Sequence, residues 1–294
     1  MSFSSDVKNE ICRLRPENIC CARAELAGIF CFAAQIKKQS IKIKTENEAV
    51  AKRVNDLTLH LYKLSMDINL GKSGLFSAEM DNVEVIKILR DLRLSSIPIR
   101  IDKNIVRSEC CKRAFIRGAF LGSGSVSAPV KSYHAEFVTS HYAICADFTE
   151  ILSFFNITPK VINRNGNYVF YIKDSNHIED LLVILGAHTQ MMNFLNVKIE
   201  KEVRNHTNRR VNCENANSEK RAGAAVEQTH AILLLHKKIG LENLPARLAQ
   251  VAEIRLDNPE ATLSDIAAQL GITKSGVNHR MRKLMQLARE VEND

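Results

Sequence analysis

Two stretches of this chain repeat one phrase. CCARAELAGIF runs from residue 20 to 30 and CCKRAFIRGAF from 110 to 120, with Cys, Cys, Arg, Ala, Gly and Phe at matching places 90 residues apart. Each reads as a helix with a glycine near its end. Two helix backbones can come almost into touch only where a side chain is missing, and Gly28 and Gly118 occupy equivalent positions. The expectation is a tandem duplication, with the two glycine helices paired about a pseudo-twofold and the strands that follow them forming one saddle.

The order of elements after each phrase supports the duplication. An opening helix at 4–14, capped by Ser4 or Ser5, places Val7, Ile11 and Leu14 at helical spacing and stops at Arg15-Pro16. The first phrase then predicts a helix over 22–35. In SIKIKTE, Ile41 and Ile43 alternate with Lys42 and Lys44, a strand with one apolar and one basic face. A helix at 48–64, strands at 67–70 and 75–79, a helix at 82–94 and an alternating strand at 97–102 complete the copy. In the second copy a helix at 112–121 precedes a strand at 133–139 and a helix at 142–155. Asn165-Gly166 then marks a hairpin, and a helix at 178–185 closes the unit.

The most specific local motif lies near the C-terminus, in TLSDIAAQLGITKSGVNHRMRKLMQL (262–287). A helix-turn-helix needs a small residue where its helices touch, a turn glycine four residues on and an apolar residue early in the second helix. Ala267, Gly271 and Val277 meet those demands in order, with Ile266, Leu270 and Ile272 around the turn. Thr262 and Thr273 stand at N-cap positions, and Asp265 completes a capping box. In the second helix Val277, Met281 and Leu284 face inward. Thr273, Lys274, Ser275, Asn278, His279 and Arg282 lie opposite, able to bond base edges or phosphates, and are the candidate DNA-reading residues. The alternative is a solvated face on an ordinary helical bundle, with a helix at 244–256 as its supporting member.

Between these regions, NHTNRRVNCENANSEKRA (205–222) is rich in Asn and Arg with little apolar content, as in a linker or an exposed binding segment. The expected organisation is a duplicated domain over 1–200, with repeats at about 17–95 and 107–195, a linker at 201–222 and an all-α domain over 223–294. The chain carries 41 Lys and Arg against 33 Asp and Glu, an excess that suits a polyanionic partner. Residues 223–294 are balanced at nine of each sign. The excess therefore lies earlier, and Lys42, Lys44, Arg204, Arg209 and Arg210 are candidate auxiliary phosphate contacts.

The eight cysteines form no CxxC and have no histidine at zinc-ligand spacing, so the expectation is small buried apolar residues and no metal. No phosphate loop or cofactor motif is present. No stretch approaches the roughly 20 apolar residues of a membrane span, and MSFSSDVKNEICRL lacks the basic start of a signal peptide, so a cytoplasmic location without membrane attachment is expected.

LAGIFCFAA (26–34) resembles the LAGLIDADG signature of homing endonucleases, and IRGAFLGSG (116–124) resembles its second copy. The resemblance implies an α+β, αββαββα-type duplicated saddle. In that family an acid at the end of each motif helix holds the metals that cut DNA. Here those positions fall on Cys31, Ala33 and Ser123, and no Asp or Glu occurs over 26–45 or 114–135. Two-metal hydrolysis needs carboxylates to hold hard cations, so no catalytic residues are assigned and no enzyme is expected. An active endonuclease using other ligands is the enzymatic alternative.

A degenerate LAGLIDADG domain joined to a helix-turn-helix is similar to the WhiA family of bacterial regulators. That resemblance extends to MSFSSDVKNE, RGAFLGSGSVSAP, NRRVNCENANSEK and ITKSGVNHRMRKL. It implies a nucleoid-associated protein that binds double-stranded DNA and regulates transcription in cell division, chromosome segregation and, where it occurs, sporulation. Other transcription regulators or RNA polymerase are conceivable partners. A protein-interaction or architectural factor with weak DNA affinity is the other reading.

Overall fold

The computed structural model describes residues 2–37, 39–95 and 98–293. The chain divides into two compact units, Met1–Lys201 and Glu202–Asp294.

The first unit opens with helix α1 (Phe3–Cys12), followed by two copies of one αββαββα arrangement. The first copy comprises α2 (Ile19–Ala33), β1 (Ala34–Ile36), β2 (Ser40–Thr45), α3 (Glu48–Tyr62), β3 (Asp67–Leu70), β4 (Phe76–Asp81) and α4 (Val85–Asp91). The second comprises α5 (Glu109–Ser123), β5 (Ser125–Val126), β6 (Ala135–Thr139), α6 (Ile144–Ser153), β7 (Lys160–Arg164), β8 (Asn167–Ile172) and α7 (Ser175–Leu185). Each copy builds an antiparallel four-stranded sheet with one strand order, β1-β2-β4-β3 and β5-β6-β8-β7. The fold is thus α+β and duplicated.

The seam between α2 and α5 shows the pseudo-twofold in its contacts. A Cβ added to Gly28 would fall on the carbonyl oxygen of Phe115 and lie 2.9 Å from the nitrogen of Ala119. One added to Gly118 would fall on the carbonyl oxygen of Glu25 and lie 3.0 Å from the nitrogen of Ile29. Shifting Glu25 and Ile29 by 90 residues gives Phe115 and Ala119, so each glycine meets the equivalents of what the other meets. Only glycine permits this approach, because the obstacle is backbone on both sides. Alternation then assigns each strand its faces. In the first sheet Ile41 pairs with Met80 and Ile43 with Ala78, all buried. In the second, Ala135 pairs with Ile172 and Phe137 with Phe170. Phe32, from the first copy, inserts among Phe137, Phe148 and Phe170 of the second, 4.7 Å from the Phe148 ring centroid. Burying a phenylalanine contributes about 1.5–3 kcal/mol, so this exchange ties the copies together.

Several local features differ from the sequence expectations. Ser2, rather than Ser4 or Ser5, caps α1, its hydroxyl accepting from Ser5 N at 3.2 Å. Strands β1 and β5 were not expected: at three and two residues they are too short to show alternation. The helix expected at 82–94 is confined to Val85–Asp91. Of the strand expected at 97–102, Ile97 lies outside the described residues, and 98–102 form no strand. Pro98 has no ladder donor, and Ile101 is buried with its N–H donated to the Asp147 carboxylate at 3.2 Å. The Asn165-Gly166 hairpin has both residues at positive φ, 51° and 78°, as a type I′ turn requires.

The 205–222 segment is helical rather than an irregular linker, lying within α8 (His188–Ile239). Residues 187–222 contain no Pro or Gly to interrupt a helix, and Arg, Lys, Glu and Ala favour one. Residues 202–224 are all exposed, which accounts for their polar composition. The start of α8 is held by Glu10, whose carboxylate accepts from Thr189 N at 2.8 Å and Gln190 N at 3.0 Å.

In the second unit the end of α8 packs with α9 (Ala246–Asp257), α10 (Leu263–Leu270) and α11 (Lys274–Asn293). Ile232, Leu235, Val251, Ile266, Val277, Met281 and Leu284 form its core. Among the described residues, no helix is long and apolar enough to cross a membrane.

Candidate nucleic-acid interface

The second unit sets α10 and α11 as a helix-turn-helix. Thr262 Oγ1 accepts from Asp265 N at 3.3 Å while the Asp265 carboxylate accepts from Thr262 N at 2.8 Å, a complete capping box. These bonds hold the Asp265 carboxyl below the usual aspartate range. Gly271 ends α10 in the left-handed region at φ 62°, and its N–H returns to the carbonyls of Ala267 and Ala268. Ala267 is buried, giving the close contact the motif needs.

Val277, Met281, Leu284 and Ala288 turn one side of α11 into the core. Thr273, Lys274, Ser275, His279 and Arg282 are exposed, and Asn278 is half-buried. Thr273 Oγ1 accepts from Gly276 N at 3.1 Å, so this hydroxyl is engaged as the helix cap. Residues 274, 278 and 282 succeed one another at i+4 spacing and form one ridge, with 275 and 279 beside it. From Lys274 to Arg289 the helix carries five Lys or Arg and no acid. The balanced charge of 223–294 is therefore unevenly spread, with five of its nine cations on this stretch of α11. Arg280 and Lys283 were not singled out from sequence. Arg280 Nη1 donates to Arg247 O at 3.4 Å, while Lys283 is exposed.

Behind the motif, Arg255 is 2% exposed and donates through Nη1 to Pro259 O at 3.1 Å and Ala261 O at 2.6 Å. It thereby fixes the turn that leads into the Thr262 cap. Burial lowers its guanidinium pKa. A lone arginine on an amphipathic helix gives no sequence signal of such a role.

The auxiliary candidates fall in several places. Arg204, Arg209 and Arg210 are exposed on α8, with Arg210 Nε 3.3 Å from Glu214. Lys42 and Lys44 occupy the outward face of β2, but Lys42 sits opposite Glu79 and forms an ion pair with it. Asp67 is the next residue across on β3, and Asp81 lies two residues along β4 from Glu79, so this face carries two lysines and three acids and is not a basic surface. Cross-strand pairing is invisible in the local pattern IKIK.

At the C-terminal ends of α2 and α5, the positions that would carry nuclease acids hold other chemistry. Cys31 is buried in the core, and burial pushes its thiol up to about 12. Ala33 has no ligand atom. Ser123 Oγ accepts from Val138 N at 3.1 Å, a structural bond to β6. The seam does contain one buried carboxylate, Glu25, but it is already occupied by guanidinium groups. Arg53 Nε and Nη2 reach it at 2.7 and 3.1 Å, and Arg117 Nη1 at 3.4 Å. Burial works against the charge on Arg53, but hydrogen bonding and attraction to Glu25 outweigh it and raise its pKa.

A duplicated LAGLIDADG-like αββαββα domain followed by a helix-turn-helix unit is the class this architecture defines. Residues 19–79 match the family model described as the WhiA N-terminal LAGLIDADG-like domain. Residues 112–204 match the WhiA LAGLIDADG-like domain and 207–288 the WhiA C-terminal HTH domain. The chain belongs to the WhiA family. It is 38% identical over 309 residues to the probable cell division protein WhiA of Alkaliphilus metalliredigens, covering 98% of both chains. To the protein of the same description in Clostridium novyi it is 37% identical over 319 residues, covering 100% of this chain and 99% of that one. The crystal structure of full-length WhiA from Thermotoga maritima superposes with a TM-score of 0.64 at 25% identity, covering 99% of each chain.

Proposed function

We propose that this chain is a DNA-binding transcription regulator acting in cell division, whose LAGLIDADG-like domain has no nuclease activity. The observation that carries the reading is α11: a capped second helix of a helix-turn-helix, with its apolar side buried and, from Lys274 to Arg289, an acid-free cationic side exposed. Lys274, Ser275, Asn278, His279 and Arg282 are the residues that read the site. Thr273 positions the helix N-terminus against a phosphate. Arg204, Arg209 and Arg210 add sequence-independent attraction, which neutralises phosphate and falls with salt.

The test is a selection for bound double-stranded DNA with the full-length protein, followed by gel-shift titration of Lys274→Ala and Arg282→Ala on the selected site. Each substitution lowers specific affinity by about 1–3 kcal/mol, the value of a base contact. Unchanged affinity in both variants removes α11 from the interface. Supercoiled plasmid incubated with the protein and Mg²⁺ or Mn²⁺ stays intact, since Ala33 and Ser123 provide no carboxylate for a hard cation. Metal-dependent nicking refutes the non-enzymatic half of the reading.

A further inference from the structure

The repeated phrase begins with two cysteines in each copy, and the fold gathers all four. Cys20 and Cys21 lie in the first turn of α2, Cys110 and Cys111 in the first turn of α5, and their four Sγ atoms all lie within 4.8 Å of one another. Among the described residues this is the sole group of three or more metal-capable side chains so assembled. The sequence expectation of small buried apolar thiols holds for Cys21 and Cys111, while Cys20 is exposed beside them. Ligand spacing along the chain cannot reveal a site built from two helices 90 residues apart.

We propose that Cys20, Cys21, Cys110 and Cys111 form a tetrathiolate site for a single Zn²⁺ that clamps the N-terminal ends of the two seam helices. Size selects the occupant. With Zn–S near 2.3 Å, tetrahedral geometry places the sulfurs about 3.8 Å apart, a contraction of about 1 Å or less from the present cage. A four-iron cluster, whose thiolates bind separate irons around a cube, needs a wider cage. The thioether-free, all-thiolate set excludes hard cations such as Mg²⁺ and Ca²⁺, which require oxygen.

The surroundings fit an anionic centre. On binding, four thiols release four protons as four Zn–S bonds form, leaving a site of net charge −2. Both helix N-termini present their positive dipole ends to it. A cavity of about 380 Å³ that Cys20 lines also has Arg23, Arg90 and Arg93 in its wall, with Asp91 paired to Arg23 at 2.8 Å, so the wall carries three cations against one acid. The glycine contacts preorganise the cage. Gly28 and Gly118 each lie eight residues beyond the first cysteine of their pair, about 12 Å along the helix. Backbone contact there keeps the two helix starts from separating. Cys21 and Cys111 are buried and Cys110 is half-buried, which shields the metal, while exposed Cys20 leaves a route for entry.

The experiment uses the full-length protein purified under reducing conditions without chelator. Metal analysis after gel filtration finds one Zn²⁺ per chain. Replacement by Co²⁺ gives a thiolate-to-cobalt charge-transfer band and the intense visible bands of tetrahedral sulfur ligation. The bound metal raises the thermal unfolding midpoint. Cys20→Ser/Cys110→Ser loses the retained metal, whereas Cys213→Ser, at an exposed position in the second unit, keeps it. Should the double variant fail to fold by circular dichroism, Cys20→Ser alone gives the answer through a weakened and shifted cobalt spectrum. Reduced wild-type protein that retains neither Zn²⁺ nor Co²⁺ overturns the proposal. So does retention of the full complement in a folded Cys20→Ser/Cys110→Ser chain, or isolation of the native protein as cross-helix disulfides that exclude metal.

Discussion

Gly118→Ala adds a single methyl group at the middle of the seam. In an open helix this change is favourable by about 1 kcal/mol, because alanine loses less backbone entropy than glycine. At residue 118 the new Cβ would fall on the carbonyl oxygen of Glu25 and lie 2.9 Å from its carbon. Neither atom belongs to a side chain that can rotate away, so α2 and α5 must move apart by an ångström or so. A gap of 0.5–1 Å forfeits about a quarter to a half of each dispersion contact across it. Those contacts involve Leu26, Ile29, Phe115 and Ala119, each buried to within 1%. A strained, overpacked core costs about 1–3 kcal/mol, and the separated seam raises this further. The net destabilisation is about 2–4 kcal/mol after the helix-propensity gain. For a unit of about 200 residues this lowers the unfolding midpoint by roughly 5–15 °C. Thermal unfolding followed by far-ultraviolet circular dichroism measures it. Gly28→Ala loses a similar amount through the equivalent collision with Phe115. Gly223→Ala, whose Cβ meets nothing within 4 Å, is neutral or gains up to about 1 kcal/mol. If Gly118→Ala unfolds at or above the wild-type midpoint, the close approach is not what glycine is there to permit.

Glu25→Ala leaves two guanidinium groups beside a vacated site. The Arg53 and Arg117 side chains are 8% and 14% exposed, and unfolding by urea should show a loss of about 3–5 kcal/mol. Glu25→Gln, which keeps the shape and one acceptor, loses less; a loss below about 1 kcal/mol for the alanine variant means that water reaches the arginines. The Asp265 cap makes stability of the second unit pH-dependent with a defined sign. Its folded-state pKa is depressed by Thr262, so its contribution is present above the ordinary aspartate pKa and is lost as pH falls through the folded value. Asp265→Asn removes that acid-side loss, and an acid titration with the same slope in both proteins rules out the cap as its source.

What the sequence determined by itself was local or self-referential. The duplication is visible because the chain can be compared with itself, and the need for glycine follows from a steric rule at Gly28 and Gly118. The Asn165-Gly166 turn and the Thr262–Asp265 capping box are set by residues within four positions of each other, so their chemistry could be read before any fold was known. The same holds for the apolar ridge of α11 and the absence of acids at Ala33 and Ser123. The tertiary structure decided everything that depends on partners distant along the chain. Glu25 meets Arg53 and Arg117 across 28 and 92 residues, and no spacing rule links them. Lys42 reads as a free cation until β4 brings Glu79 against it. Strands β1 and β5 exist only because a neighbouring strand supplies their hydrogen bonds. Cys20-Cys21 and Cys110-Cys111 carry no ligand spacing of their own, and the seam alone makes them four sulfurs around one point.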